Sequence, residues 1–72
     1  MRCKIRLDTQ NDVIKFVNIV EQLNGRVVIK DNEGMCVNAR SVIGMLYAMT
    51  FNELWCESDS DIYQNIKDFI IE

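Results

Sequence analysis

The chain has 72 residues, of which 49% are hydrophobic and 26% are charged, the balance of a soluble globular domain. A chain of this length forms one domain at most, so we expect a single domain over residues 1–72. Its apolar runs are far shorter than the ~18 residues of a membrane span, and its first residues lack the apolar core of a signal peptide. The sequence therefore predicts a cytoplasmic protein without a membrane partner.

The net charge is −3, and the eight basic residues are spread along the chain. A nucleic-acid-binding domain usually concentrates positive charge on one surface, so we expect no nucleic-acid partner. Histidine is absent, which excludes every reaction that needs an imidazole group. The carboxylates are scattered and no glycine-rich phosphate loop occurs. We therefore expect neither enzymatic activity nor a cofactor.

The cysteines Cys3, Cys36 and Cys56 cannot all pair within the chain, because their number is odd. Their spacing matches no CxxC signature of a zinc or redox site, and no histidine is present to complete a metal site. We expect no bound metal and interpret the three cysteines as reduced thiols that pack as small hydrophobic side chains.

The first third of the chain predicts a strand followed by a helix. Residues 2–7 alternate strictly between basic and apolar side chains, as in a strand with one exposed and one buried face. Residues 12–23 change to helical periodicity with one apolar stripe, formed by Val13, Phe16, Val17, Val20 and Leu23. Asn11 or Asp12 can cap the start of this helix, and Asn24-Gly25 supplies a left-handed residue at its end.

The middle of the chain predicts a β-hairpin and a second helix. Residues 26–31 and 35–39 are strand-like segments that flank a short polar turn with a glycine, so the two strands are antiparallel. Ser41 then opens a helix that ends near Met49 or Thr50.

The last third predicts a fourth strand over residues 53–57 and a final helix. Ser58 and Asp61 have the spacing of a helix start, and the apolar stripe that follows consists of Ile62, Ile66, Phe69 and Ile70. The order β-α-β-β-α-β-α predicts an α+β protein with one four-stranded antiparallel sheet and all helices on one face. In that packing the other sheet face is open to water, and Leu23, Ile29, Leu54 and Phe69 are not left exposed.

A strand, a basic residue, a serine, two apolar residues and a glycine follow one another in the segment Val37-Asn38-Ala39-Arg40-Ser41-Val42-Ile43-Gly44-Met45-Leu46. This segment resembles the regulatory segment of HPr, the phosphocarrier family of the bacterial sugar phosphotransferase system. The element order and length resemble HPr as well. The resemblance implies an HPr-like open-faced β-sandwich with the strand order 1-4-2-3. It also implies that Ser41 corresponds to the serine that HPr kinase phosphorylates in Gram-positive bacteria.

The chain departs from HPr at the start of the first helix. HPr carries its phosphoryl group there on a histidine that is followed closely by an arginine and a proline, whereas residues 8–13 contain none of the three. Asp8 and Asp12 would in addition repel a phosphoryl donor. We therefore expect no phosphocarrier activity. In this respect the chain is similar to Crh, an HPr relative that keeps the serine, lacks the histidine and acts in catabolite regulation.

Ser41 and the helix that it opens are the first candidate site. The Ser41 hydroxyl is expected to cap the helix and is the candidate phosphorylation site, with Arg40 as a neighbouring phosphate partner. The helix carries more apolar residues than one face can bury, although at least Val42 or Leu46 must pack into the core. We define the interaction patch as the predicted docking surface for a protein such as HPr kinase or a transcriptional regulator, formed by Arg40, Val42, Ile43 and Leu46.

The open face of the sheet is the second candidate site. If Leu54 and Cys56 face the helices, Trp55 lies on the open face together with Arg2, Lys4, Arg6 and Val28, with Cys36 as a further candidate. Trp55 then either packs under the basic side chains with cation–π contacts or forms part of a binding or dimerisation face. The chain is accordingly expected to be a monomer or a weak homodimer.

Three hypotheses about function follow. The first is a non-catalytic HPr-like protein with a regulatory, protein-interaction role. The second is an orphan scaffold or assembly protein that keeps the HPr-like fold without phosphotransferase partners. The third is a different small α/β module, such as an amino-acid-sensing domain, which a strand order other than 1-4-2-3 would favour.

Overall fold

A computed structural model describes residues 1–71 of the chain, so the predicted domain boundary at residue 72 lies outside the described residues. The elements in chain order are β1 (Arg2–Ile5), α1 (Gln10–Glu21), β2 (Val27–Lys30), β3 (Cys36–Asn38), α2 (Val42–Ala48), β4 (Leu54–Ser58), α3 (Tyr63–Ile66) and a 3₁₀ turn (Lys67–Phe69). This order of elements is the one that the sequence predicts.

The four strands form one antiparallel sheet with the order β1-β4-β2-β3. β4 lies between β1 and β2, and β3 pairs only with β2. The α+β class and the open-faced sandwich are thereby confirmed, and the strand order is the one that the HPr resemblance implies.

The first helix lies two residues earlier in the chain than predicted. It spans Gln10–Glu21 rather than residues 12–23, and its N-cap is Thr9 rather than Asn11 or Asp12. The predicted left-handed residue is present, because Gly25 has a φ of 85°. It follows the helix by several residues, since Gln22 is a right-handed C-cap.

The predicted start of the last helix is wrong. Ser58 is the final residue of β4, where it pairs with Val27, and α3 begins only at Tyr63. Ile62 is the N-cap of α3 and makes no side-chain capping bond. The sheet hydrogen bonds of Ser58 therefore override the local helix signal of its sequence.

The core lies between the sheet and the helices. α1 contributes the predicted residues Val13, Phe16, Val17 and Val20, all fully buried. On the sheet, Ile29 and Leu54 are buried as expected, while Leu23 and Phe69 are half-buried against the same cluster. Phe69 contacts Phe16 edge to face, with ring centroids 5.5 Å apart.

The expectation that Val42 or Leu46 packs into the core is wrong. The buried residues of α2 are Met45 and Ala48 instead. The two residues are three positions apart, so they share one helix face, and this rotation of α2 turns Val42 and Leu46 outwards.

The outer edge of β1 is covered by the end of the described chain. Ile5 and Ile70 form an antiparallel bridge. Next to it, the Arg6 N–H donates to the Phe69 carbonyl at 2.8 Å, and the Ile71 N–H donates to the Lys4 carbonyl at 3.0 Å. Among residues 1–71, no helix is both long and apolar enough to cross a bilayer.

Candidate functional site

Ser41 caps α2, as the sequence predicts. Its backbone is extended, with φ −97° and ψ 115°, and its Oγ accepts a hydrogen bond from the Gly44 N–H at 3.0 Å. Ser41 thus satisfies one of the backbone donors that a helix start leaves unpaired. Its side chain is half-buried, so the residue is not sealed within the core.

Gly44 is the residue that allows this close turn. A Cβ atom at Gly44 would lie 3.3 Å from both the Cβ and the Oγ of Ser41. Contacts this short force the neighbour to shift, so a side chain at position 44 would press on the serine that caps the helix. The glycine at position 44 therefore has a local physical reason, which is its closeness to the serine that caps α2.

Arg40 is engaged away from Ser41. One of its guanidinium nitrogens donates to the carbonyl of Leu23, just beyond the end of α1. Its backbone N–H donates to the Asn38 side chain at 2.9 Å. Positive charge near a helix C-terminus is favourable, so Arg40 ties the second helix segment to the first. The structure places it beside Ser41 in the chain without a bond to the hydroxyl.

The interaction patch is largely exposed. Ile43 is 82% exposed, and Val42 and Leu46 are 40% and 37% exposed. Tyr47, which was not included in the predicted patch, is 51% exposed on the same helix and contacts Phe51 edge to face. The seven-residue helix thus exposes four large apolar side chains. Single exposed apolar residues are common on protein surfaces, whereas a cluster of this kind indicates a binding surface.

The start of α1 is closed by its own side chains. Thr9 Oγ1 accepts from the Asp12 N–H at 3.1 Å, and the Asp12 carboxylate accepts from the N–H groups of Thr9 at 3.2 Å and Asp8 at 3.0 Å. This reciprocal arrangement is a capping box. An internal carboxylate therefore occupies backbone donors at the start of α1.

The shallow depression next to this helix start is rich in carboxylates. Asp8, Asp12 and Asp68 line it, together with Arg6 and Lys15. The Arg6 guanidinium is paired with Asp8 at 3.0 Å. The third carboxylate, Asp68, comes from the 3₁₀ turn and was not foreseen from the sequence.

Trp55 lies on the open face of the sheet, as predicted from its parity. Its strand neighbours Leu54 and Cys56 are buried in the core, and Trp55 itself is half-buried. The Arg2 guanidinium carbon is 4.1 Å from the centre of the Trp55 ring, and the Lys4 Nζ is 5.9 Å from it. The cation–π interpretation of this surface is therefore confirmed for Arg2 and Lys4.

Arg6 is the exception within the predicted open-face group. β1 ends at Ile5, so Arg6 lies beyond the strand, where it pairs with Asp8. Val28 does lie on this face, opposite Asn38 and Glu57 in the sheet, and is buried beneath its neighbours.

Glu57 forms ion pairs with two basic side chains of the open face. One of its carboxylate oxygens lies 3.0 Å from the Lys30 Nζ, and the other lies 3.1 Å from the Arg2 Nε. The hydrogen bonds from Lys30 and then Arg2 lower the pKa of Glu57 below its ordinary value of 4.5. Lys4 is paired in turn with Glu53 at 3.0 Å. The positive charges above Trp55 are thus matched by carboxylates, which the basic stripe in the sequence does not reveal.

The cysteines divide between the two faces of the sheet. Cys3 and Cys56 are buried in the core as expected, whereas Cys36 is exposed, so the interpretation as a packed thiol is wrong for Cys36 and its alternative place on the open face is the one observed. β3 is a short edge strand, and its residue 36 points to the open face. Within residues 1–71, no group of three or more His, Cys, Asp or Glu side chains is placed to hold a metal ion.

Comparisons of the chain with protein-family models, curated proteins and solved structures found no significant match.

Proposed function

We propose that this chain is a non-catalytic HPr-like protein of the sugar phosphotransferase system, with a regulatory, protein-interaction role in the cytoplasm and no phosphohistidine carrier activity. The observation that carries the proposal is the position of Ser41, which caps α2 directly beside the exposed interaction patch. A modification of that hydroxyl would place charge next to the apolar surface that a partner contacts.

The fold and the closed start of α1 support this proposal. The strand order β1-β4-β2-β3 agrees with the HPr resemblance and gives no support to a different α/β module such as an amino-acid-sensing domain. The chain contains no histidine, and the Asp12 carboxylate holds the backbone donors near the start of α1. Both features oppose a phosphocarrier role. The interaction patch on α2 is then the surface that we propose binds a partner.

The chemistry of the interaction patch suggests the kind of partner. Its exposed surface is apolar, formed by Val42, Ile43 and Leu46 with Tyr47 beside them. A complementary apolar surface on HPr kinase or on a transcriptional regulator would bury it. Phosphorylation adds about −1.5 to −2 charges at neutral pH, which would repel an apolar partner and attract one that presents an arginine.

A kinase assay tests the proposal. The native chain and Ser41→Ala are incubated with an HPr kinase and ATP, and phosphate uptake is read by intact mass. The proposal expects one phosphate on the native chain and none on Ser41→Ala. Circular dichroism of both proteins tests whether Ser41→Ala is folded, so that a lack of uptake is not mistaken for a consequence of unfolding.

The alternative is an orphan scaffold or assembly protein that keeps the fold without phosphotransferase partners. The bond from Arg40 to the Leu23 carbonyl favours it, because this bond occupies the cation that would neighbour a phosphate on Ser41. Absence of phosphate from both proteins, or equal uptake by both, removes Ser41 as the regulatory site and leaves the scaffold role.

A further inference from the structure

Cys3 and Cys56 lie directly opposite each other on adjacent strands. Residue 3 of β1 and residue 56 of β4 are register partners in an antiparallel pair. Both side chains belong to the core cluster, with Cys3 8% exposed and Cys56 fully buried. Their strand neighbours Arg2 and Trp55 meet on the opposite face, which is what the alternation of a pleated sheet requires.

The hydrogen-bond pattern of the ladder gives the separation of the two backbones. Met1 and Ser58 exchange backbone hydrogen bonds of 2.6 and 2.9 Å. Hydrogen-bonded and non-hydrogen-bonded pairs alternate, so Cys3 and Cys56, two positions further along, are again a hydrogen-bonded pair. The Cα atoms of such a pair are about 5.5 Å apart. That distance lies in the middle of the range spanned by disulfides, about 4.4–6.8 Å.

The two side chains point to the same face of the sheet, because register partners of an antiparallel pair share a face. Cys36 cannot reach them, since it lies on the open face of β3, on the other side of the sheet. The sheet therefore selects one cysteine pair out of the three that the sequence allows.

We propose that Cys3 and Cys56 are a dithiol–disulfide pair, which a small peroxide converts into a cross-link between β1 and β4. The Cys3 thiolate attacks hydrogen peroxide, the O–O bond breaks, and a sulfenic acid forms as hydroxide leaves and takes up a proton to become water. The Cys56 sulfur then attacks the Cys3 sulfur, the S–O bond breaks and a second water leaves. Two thiols are oxidised, one peroxide is reduced to two waters, and an added dithiol reverses the change.

Burial sets the rate of this reaction. It raises the pKa of the Cys56 thiol to about 12 and raises that of Cys3 above its ordinary value of 9.0. Because the thiolate is the reactive form, the reaction is slow at neutral pH and accelerates in alkaline solution. Cys3 is the entry point, since it is the only one of the pair with any exposed surface.

The cross-link has a measurable effect on stability. It joins Cys3, near the start of the chain, to Cys56 and so closes a loop that contains most of the described residues. Closing a long loop removes much of the entropy of the unfolded chain. We expect the oxidised chain to melt about 10 °C or more above the reduced chain.

The experiment treats the full chain with hydrogen peroxide near pH 9.0, the ordinary thiol pKa. The sample is quenched with catalase, unfolded and labelled with N-ethylmaleimide. The reduced chain takes up three labels. The oxidised chain is expected to take up at most one label, on Cys36 that is still reduced, and to yield a cross-linked peptide containing Cys3 and Cys56.

Two variants sharpen the test. Cys36→Ser is the matched control, because it keeps the pair and is expected to take up no label after oxidation. Cys3→Ala should keep both remaining thiols reactive and show no rise in melting temperature; if it does not fold, Cys36→Ser with and without dithiothreitol decides the question alone. Full labelling of the peroxide-treated chain, or a disulfide found only between chains, would overturn the proposal.

Discussion

The Arg2 guanidinium lies over the ring of Trp55, 4.1 Å from its centre, while its Nε contacts the Glu57 carboxylate at 3.1 Å. The carboxylate and the aromatic ring both attract the guanidinium, so the two contacts together stabilise its position over the ring. Because Trp55 is the only tryptophan of the chain, the tryptophan emission reports on the surroundings of this one ring.

Replacing Arg2 with Gln tests that contact. We expect a loss of about 0.5–1 kcal/mol in the free energy of unfolding, together with a red shift of the Trp55 emission as water reaches the ring. Arg6→Gln is the control, because the Arg6 guanidinium pairs with Asp8 and lies beyond the strand. Equal emission shifts in the two variants would contradict the assignment of Arg2 to the ring.

The lowered pKa of Glu57 predicts that the free energy of unfolding decreases in acid. Its pKa in the folded chain lies below the ordinary value of 4.5, so its stabilising contribution is complete above that pH and is lost as the pH falls through the folded value. Glu57→Gln should flatten this part of the dependence of unfolding free energy on pH, as measured by urea denaturation. Lys30→Met should weaken it as well, since the hydrogen bond from Lys30 is the largest cause of the lowered pKa of Glu57. An unchanged acid slope in both variants would count against this network.

Ser41→Ala should destabilise the chain by about 1 kcal/mol, because the Gly44 N–H then lacks its acceptor. Ser41→Asp keeps an acceptor at the cap and should retain most of the stability. Thermal and urea denaturation of the three proteins measure the difference. A Ser41→Ala chain as stable as the native one would show that the cap contributes nothing.

The capping box of α1 predicts coupled effects at Thr9 and Asp12. Each Ala substitution should cost about 0.5–2 kcal/mol, and the double substitution should cost less than the sum, since each side chain bonds the backbone of the other. Asn11→Ala is the control, because Asn11 lies inside the helix and makes no cap. A larger loss in Asn11→Ala than in Thr9→Ala would return the cap to its sequence-predicted position.

Phosphoenolpyruvate and Enzyme I should leave this chain unlabelled. It has no histidine, and the Asp12 carboxylate occupies the backbone donors at the start of α1. Radiolabelled phosphoenolpyruvate with an HPr as positive control measures transfer. Acid-labile phosphate on the purified chain would be incompatible with the proposed function.

The faces of the strands could be predicted from the sequence, because side chains alternate strictly and one buried residue assigns all the others. Leu54 and Cys56 place Trp55 on the open face in this way. The carboxylate partners of the basic residues could not be predicted, since Glu57 meets Arg2 and Lys30 only through the register of three strands.

The rotation of α2 could not be predicted for a related reason. Apolar residues surround this helix on nearly every side, so periodicity does not decide which of them face the core. The structure buries Met45 and the small Ala48 against the sheet and α1, and leaves Ile43 outside. Ala48 is the one feature of the sequence that indicates the buried face of α2, because a small residue lets a helix approach its neighbours closely.

Helix ends were the weakest part of the prediction, because local capping signals compete with tertiary contacts. Thr9 and Asp12 have the S/T-x-x-D spacing that marks a helix start. Asn11 and Asp12 are also common N-cap residue types and lie closer to the apolar stripe, so the sequence favours them as the N-cap over Thr9. At Ser58 the same kind of signal is overruled, since the residue completes β4 opposite Val27.

The pairing of β1 with β4 also determines when this chain can fold. Arg2 meets Glu57 across 55 positions of sequence, and both neighbours of β4 in the sheet precede it in the chain. On a ribosome, β1 and β2 therefore emerge without the strand that joins them, and the sheet cannot assemble until β4 has left the exit tunnel. A topology of such high contact order should fold slowly for its size.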